Sequence, residues 1–329
     1  MNLTIVIPTK DRAKIAEDFS RFFYKDKDYG VLWLDGSEEV TESFFLNQGN
    51  RYIWTGDSYI ERLMSTEGYV STDYVVMIGD DEAHFSEALL ESIRIMEDNL
   101  NVVACSGWPV TMNICKSSAG KRFVGPLVRG PYIFESDVYD ETDLRVRLAA
   151  QVENSCPRLI YSVVRRKVWN DAWKMVKRGC STLAARGLHE ILFEYYVLSA
   201  GEVRLIDKPM WFRHKLIENS DSSDSKDSFL NNKNKYFFEA WNSLGSEDRR
   251  RFVEVVEERI SMKSEMLWYL DSLCAKSMNA SRKIITPTQK GGKRRKILSV
   301  ARNLLFRRRA VLSRKSRTEL ETVIGVLEA

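Results

Sequence analysis

Along the first hundred residues, short continuous apolar runs alternate with segments whose apolar positions fall three and four apart. The runs lie at residues 3–7, 31–34, 52–54, 74–78 and 102–105. Between them, residues 11–24, 59–65 and 87–97 carry the spacing of amphipathic helices. A strand that is apolar at every position, and not at every second one, buries both of its faces. Such strands separated by helices predict a parallel sheet covered on both sides. From residue 106 to 157 the pattern weakens, and the glycines and prolines gathered there (Gly107, Pro109, Gly120, Gly125, Pro126, Gly130, Pro131) predict loops and short strands. It resumes with a strand at 161–164, helices at 167–176 and 188–199, and a strand at 203–206 followed by Pro209.

Beyond this region the composition changes. Residues 218–235 are rich in Ser, Asp and Asn and read as a loop or linker. Residues 236–275 regain helical amphipathicity, with Phe237, Phe238, Trp241, Phe252 and Trp268 available to pack. From Ser281 onward there are 14 Lys/Arg and 3 Asp/Glu, so the last 49 residues carry +11 while the first 280 carry −7. The expected organisation is an α/β domain over 1–215, a linker over 216–235, a helical appendage over 236–280 and a basic tail over 281–329. The five cysteines are scattered, odd in number and without metal-ligand spacing, which suits a reduced cytoplasmic protein. No apolar run approaches the roughly 20 residues needed to span a bilayer.

In an open parallel sheet, ligands bind beyond the carboxyl ends of the strands. Two acidic groups stand there: Asp35, directly after the second strand, and Asp80-Asp81-Glu82, after the fourth strand and Gly79. Gly79 allows a sharp exit that aims the three carboxylates at one point. Three neighbouring carboxylates repel one another and raise each other's pKa unless a positive charge intervenes. A hard divalent ion, Mn²⁺ or Mg²⁺, answers that need, and a substrate phosphate completes its shell. Acidic residues also serve as turn residues and helix caps after strands, and Asp35 alone fits that reading equally.

With these residues in place, the chain resembles the GT-A glycosyltransferases of family 2 type. The opening Thr4-Ile5-Val6-Ile7-Pro8-Thr9-Lys10-Asp11-Arg12 is similar to that family's first strand and its Pro-Thr-x-Asn-Arg turn, with Asp11 where the family has Asn. Asp35-Gly36-Ser37 matches its Asp-Gly-Ser, and Gly79-Asp80-Asp81-Glu82 stands at its Asp-x-Asp metal motif, with Glu82 in place of the last Asp. Residues 161–213 resemble the later half of a bacterial subgroup. The resemblance implies a Rossmann-like, mixed, mostly parallel sheet with helices on both faces and a helical C-terminal appendage. It also implies inverting transfer of a sugar from a nucleotide-diphosphate donor to a hydroxyl of a glycan or lipid-linked acceptor. Pro8, Thr9, Arg12, Asp35 and Asp80 would then face the nucleotide, and Asp81, Glu82 and the late His214 the metal.

Inverting displacement needs a base for the acceptor proton. The family's paired acids appear here as His189-Glu190, which makes Glu190 the first candidate base and His189 the second. Arg165, Arg166 and Arg213 are candidates for phosphate oxygens. In the tail, basic residues flank apolar ones over 293–312, the pattern of a helix lying on an anionic membrane surface. A polybasic arm for nucleic acid is the less favoured reading. Two other readings of the domain stand beside the transferase. A sugar nucleotidyltransferase wants a glycine-rich loop after the first strand, which Pro8-Thr9-Lys10-Asp11-Arg12 does not supply. An inactive relative would bind without turnover.

Overall fold

The computed structural model of the chain describes residues 2–12, 29–40, 50–116, 122–124, 128–129, 143–148, 159–179, 188–217, 315–316, 318–319 and 321. Its centre is one mixed sheet. Strands β1 (Leu3–Thr9), β2 (Gly30–Asp35), β3 (Arg51–Trp54) and β4 (Tyr74–Met77) are mutually parallel, with β1 between β2 and β4. The sheet continues through β5 (Glu82–His84), β6 (Val102–Lys116), β9 (Val163–Arg165) and β10 (Glu202–Ile217) in the order β3-β2-β1-β4-β9-β6-β10-β5. The short strands β7 (Arg122–Val124) and β8 (Val128–Arg129) pair antiparallel with β6. Along the main order only β9 and β5 run against the others. The α/β architecture is the one the alternation predicts, but the sheet is mixed and mostly parallel, where the alternation alone predicts a parallel one.

The continuous apolar strands divide their residues between two cores. Val6, Leu32, Leu34, Val75 and Met77 face helices α1 (Tyr59–Tyr69), α3 (Arg166–Gly179) and α4 (Leu188–Ala200). Leu3, Ile5, Ile7, Trp33 and Val76 face the other way, toward α2 (Ser86–Asp98). Side chains alternate along a strand, so helices on both sides require apolar residues at every position. In α3 the buried residues Trp169, Ala172, Trp173 and Val176 repeat at helical spacing, and the Trp169 indole N–H donates to Thr66 Oγ1 of α1 at 2.9 Å.

Helix ends are closed locally and from a distance. Ser58 and Glu61 form a capping box at the start of α1. No basic residue lies in the last turn of α1 or α2. Arg166 instead donates to Val70 O just past α1, and Arg165 to Met96 O and Asn99 O at the end of α2. At the other end of α2, Ser86 Oγ donates to Glu319 and Ser316 Oγ to Glu87, so a short piece of the basic tail rests on the helix N-terminus.

The long strands depart most from the sequence expectation. β6 runs through Gly107 and Pro109, and β10 runs through Pro209, because each pairs with the other from Val102/Glu202 to Cys115/Ile217. Register shifts beside Pro209 absorb the residue that cannot donate to the ladder. Strand β5 has no apolar run of its own and exists through β10, whose pairing residues Trp211, Phe212 and Arg213 lie more than 120 positions away. Tyr161 closes a 3₁₀ turn (Leu159–Tyr161) before β9. Strand β10 passes the expected domain boundary at 215. The helix expected over 11–24 falls largely, and the linker, the appendage and the 293–312 stretch fall wholly or almost wholly, outside the described residues. Among the described residues no helix is long and apolar enough to cross a membrane.

Candidate active site

From β1 the chain steps to β2 and β3 on one side and then returns to β4 on the other. At such a reversal the connections diverge and leave a crevice at the carboxyl ends of the strands. Thr9 ends β1, Asp35 ends β2, and Asp80 follows β4. Across the crevice Thr9 Oγ1 donates to Asp80 Oδ2 at 2.8 Å. Arg12 spans the same opening, with Nη1 on Asp80 Oδ1 at 2.6 Å and Nη2 on Asp81 Oδ2 at 2.7 Å. Burial pushes the Asp80 carboxyl up to about 6, against the opposing pull of Thr9 and Arg12. Burial works against the charge of Arg12, but the carboxylates of Asp81 and Asp80 outweigh it and raise its pKa.

The loop that carries Arg12 is set by its predecessor. Asp11 has φ 54°, in the left-handed region that Asn and Asp tolerate better than other side chains. This accounts physically for an Asn or Asp at that place in the motif. Its N–H donates to Ser37 Oγ at 2.7 Å, which ties the β1 loop to the β2 loop.

Asp35 is 1% exposed. Its Oδ1 accepts from Ser37 N–H at 2.8 Å and from the Ser37 hydroxyl at 2.5 Å, and its Oδ2 accepts from the Tyr52 hydroxyl at 2.5 Å. The turn chemistry weighed for Asp35 is thus present as an Asx-turn. Beneath the two strand ends lies Arg62 of α1, 4% exposed, whose Nη1 donates to Thr9 O at 2.6 Å and Leu34 O at 2.8 Å. A Cβ on Gly36 would meet the Arg62 guanidinium carbon at 2.5 Å, so Gly36 is there to make room. Nothing in the sequence pattern singles out Arg62, because a charged residue on a helix ordinarily faces water.

The acidic triplet splits instead of converging. Asp80 turns to Thr9 and Arg12. Glu82, 4% exposed, turns back, with Oε2 accepting from Gly79 N–H at 3.3 Å and Oε1 from Arg213 Nε at 2.6 Å. Gly79 lies outside the left-handed region. It serves by leaving space for these carboxylates, since a Cβ there would lie 3.2 Å from Glu82 Oε2 and 3.3 Å from Asp81 Oδ1. Arg213 and Glu82 are direct cross-strand partners in β10 and β5. The Arg213 guanidinium also lies over the Tyr161 ring at 5.8 Å, and Tyr161 stacks on Trp211 at 5.5 Å.

Tyr161 links this cluster to the start of α4. Burial raises its phenol well above the ordinary value, with Glu82 and Glu190 adding to the effect and Arg213 opposing it. Tyr59 is likewise raised by burial and by Glu190, and its ring meets His189 edge-on at 5.4 Å. Glu190 and His189 are therefore half-buried beside two tyrosines that also feel Glu82. Pro8 pairs with Leu34 inside the sheet. His214 pairs with Met112 in β10, and its side chain is not among those described. Arg165 and Arg166 sit at the opposite edge, where β9 pairs with Tyr74 at the start of β4, and they cap helices there.

Among the described residues no three His, Cys, Asp or Glu side chains form a ready metal cage. The donor set nonetheless fits a hard cation held by few protein ligands. Three carboxylates face two guanidinium groups, which leaves one net negative charge at the crevice. Asp81, with a side chain 31% exposed against 6% for Asp80 and 5% for Glu82, is the carboxylate open to solvent. Mg²⁺ commonly takes one or two carboxylates and fills the rest of its shell with phosphate and water.

No protein-family model and no curated protein sequence matches the chain. Among solved structures, it is similar to S. aureus TarS, with 11% identity and a TM-score of 0.41 over 84% of this chain, and it spans about half (54%) of that protein. The 1–349 piece of TarS in complex with UDP gives 12% identity and 0.42, covering 89% of this chain and 95% of the other. The mannosyltransferase PcManGT of Pyrobaculum calidifontis, in complex with GDP-Man and Mn²⁺, gives 9% identity and 0.41, covering 99% and 85%. At these values the chemistry of this chain rests on its own residues.

Proposed function

We propose that this chain is a metal-dependent inverting glycosyltransferase of the GT-A type, moving a sugar from a nucleotide-diphosphate donor to a hydroxyl of a glycan or lipid-linked acceptor. The observation that carries the reading is the Thr9–Asp80–Arg12–Asp81 cluster at the topological switch point of the sheet. A crevice lined by carboxylates and a forked cation suits a phosphorylated ligand that arrives with a divalent ion. When bound, that ion neutralises the charge that develops on the departing diphosphate.

The chain's own residues divide the remaining work. Pro8, Thr9 and Asp35 shape the wall for the nucleoside, with Arg12 facing it, while Asp80 fixes the Thr9 hydroxyl. Asp81 is the outward metal ligand, with Glu82 and His214 as the further candidates. Glu190, with His189 beside it, takes the proton from the acceptor hydroxyl at the far side of Tyr161. The buried tyrosines keep water away from that proton transfer. The basic stretch 293–312 would hold the protein at an anionic membrane surface where lipid-linked acceptors lie.

The test is calorimetric binding of UDP, GDP, ADP and CDP and their sugars, with and without Mn²⁺, to wild type and Asp81→Ala. Metal-dependent binding of one nucleotide, abolished by the substitution, is expected. No binding to a folded wild type with metal present would overturn the reading. Release of pyrophosphate from a nucleoside triphosphate and a sugar phosphate would instead identify a nucleotidyltransferase.

A further inference from the structure

Arg12 holds a place that facing the nucleotide does not by itself explain. A guanidinium usually grips one carboxylate with two parallel bonds. Here its two terminal nitrogens are divided between two carboxylates, Asp80 and Asp81, so the positive charge sits between them as a shared cation would. We infer that Arg12 is an exchangeable counter-ion: it occupies the cation position of the nucleotide-free site, yields Asp81 to the incoming divalent ion, and turns its freed nitrogens to the diphosphate. This rests on the proposed function and adds to it a coupling between metal and donor.

Three observations favour exchange at Arg12 and not at the second arginine. Arg12 lies on a loop and its side chain is 40% exposed, so it can swing without opening the core. Arg213 is pinned across the sheet from Glu82 and over the ring of Tyr161. Finally, Asp80 keeps the Thr9 hydroxyl when Arg12 moves, so no buried carboxylate is stranded. Two cations cannot both sit against Asp81 without strong mutual repulsion. The metal and the Arg12–Asp81 bond therefore weaken each other, while a diphosphate offers the released fork a better partner. By linkage, the diphosphate then raises the affinity for metal and the metal raises the affinity for the diphosphate by the same factor.

The experiment titrates Mn²⁺ alone into the nucleotide-free full chain, followed by electron paramagnetic resonance of free Mn²⁺, for wild type, Arg12→Met and Arg12→Lys. Repeats at saturating UDP and at saturating GDP follow. Removing the competing charge is expected to tighten Mn²⁺ binding about tenfold in Arg12→Met. The gain in Mn²⁺ affinity that a bound nucleoside diphosphate gives the wild type is expected to shrink several-fold in that variant. If Arg12→Met melts well below wild type, Arg12→Lys decides, because its ammonium ends one bond short of the two guanidinium nitrogens, holds Asp80 and Asp81 less firmly and should also bind Mn²⁺ more tightly than wild type. Equal or weaker Mn²⁺ binding in the folded variants overturns the exchange, and so does Mn²⁺ binding to none of the three. Failure of every nucleotide to bind wild type strikes the proposed function instead, while the Mn²⁺ contrast, made without nucleotide, still judges the displacement of Arg12.

Discussion

Replacing Arg62 by Met should destabilise the domain by about 2–4 kcal/mol. Two bonds from a charged donor to main-chain oxygens are lost, at Thr9 O and Leu34 O. Each such bond contributes about 1.5–3 kcal/mol. Two effects reduce the sum. Thr9 O retains the Gly36 N–H at 3.0 Å. The buried guanidinium, whose Nε has no hydrogen-bond partner, no longer has to be desolvated. Methionine keeps most of the apolar stem, so little cavity is added. The assay is urea unfolding followed by tryptophan fluorescence, comparing midpoints at a common slope. Arg62→Lys should lie between the two, since its ammonium carries donors for both carbonyls, as Nη1 does, but ends one bond short of that nitrogen. A loss under about 1 kcal/mol for Arg62→Met would refute the view that this residue clamps the ends of β1 and β2. Gly36→Ala should mimic part of the effect by pushing the guanidinium aside.

Glu190→Gln should lower kcat by about 10²–10⁴ with an unchanged melting temperature, the scale of losing a general base; an unchanged rate would favour a non-catalytic role. Thr66→Val leaves the buried Trp169 indole N–H without its acceptor and should cost about 1–3 kcal/mol in urea unfolding, whereas Thr66→Ser should be nearly neutral. Burial pushes the Cys105 thiol up to about 12, so peptide mapping after alkylation at pH 8 should find Cys105 unmodified in the folded protein and modified in denaturant. Asp80, raised by burial to about 6 from 3.8, binds its proton more tightly folded than unfolded, so its contribution is greatest below about pH 4 and is lost as pH rises through 6. In metal-free buffer, wild type should lose up to about 3 kcal/mol across that window relative to Asp80→Asn.

The sheet was legible where one strand's own residues dictate it. The runs at 3–7, 31–34 and 74–78 had to be buried on both faces, and β1, β2 and β4 are the strands that the helices sandwich. Strand β5 was not legible, because its three residues acquire strand structure only through a partner in β10. The lengths of β6 and β10 were hidden by Gly107, Pro109 and Pro209, whose local preference is overridden by a long shared ladder. At the site, the acidic residues stood out by position. Arg12 and Arg213 were singled out as ligand contacts, but not as the counter-charges of the triplet, which they meet from 68 and 131 residues away. Tyr52 and Ser37 belong to the site only because the loops after β1 and β2 are tied together.

The pairing of β5 with β10 also bears on the order in which the molecule assembles. Strands β1 to β4 are all present once the first 77 residues have emerged during synthesis. Contacts distant in sequence must wait, since domains grow from the N-terminal side and distant pairings close slowly. Glu82 is made early, yet its strand and its arginine partner arrive only with Trp211, Phe212 and Arg213. A nascent chain halted at residue 200 would carry Thr9, Asp35, Asp80 and Glu190 but leave Glu82 without its arginine and β5 without its ladder.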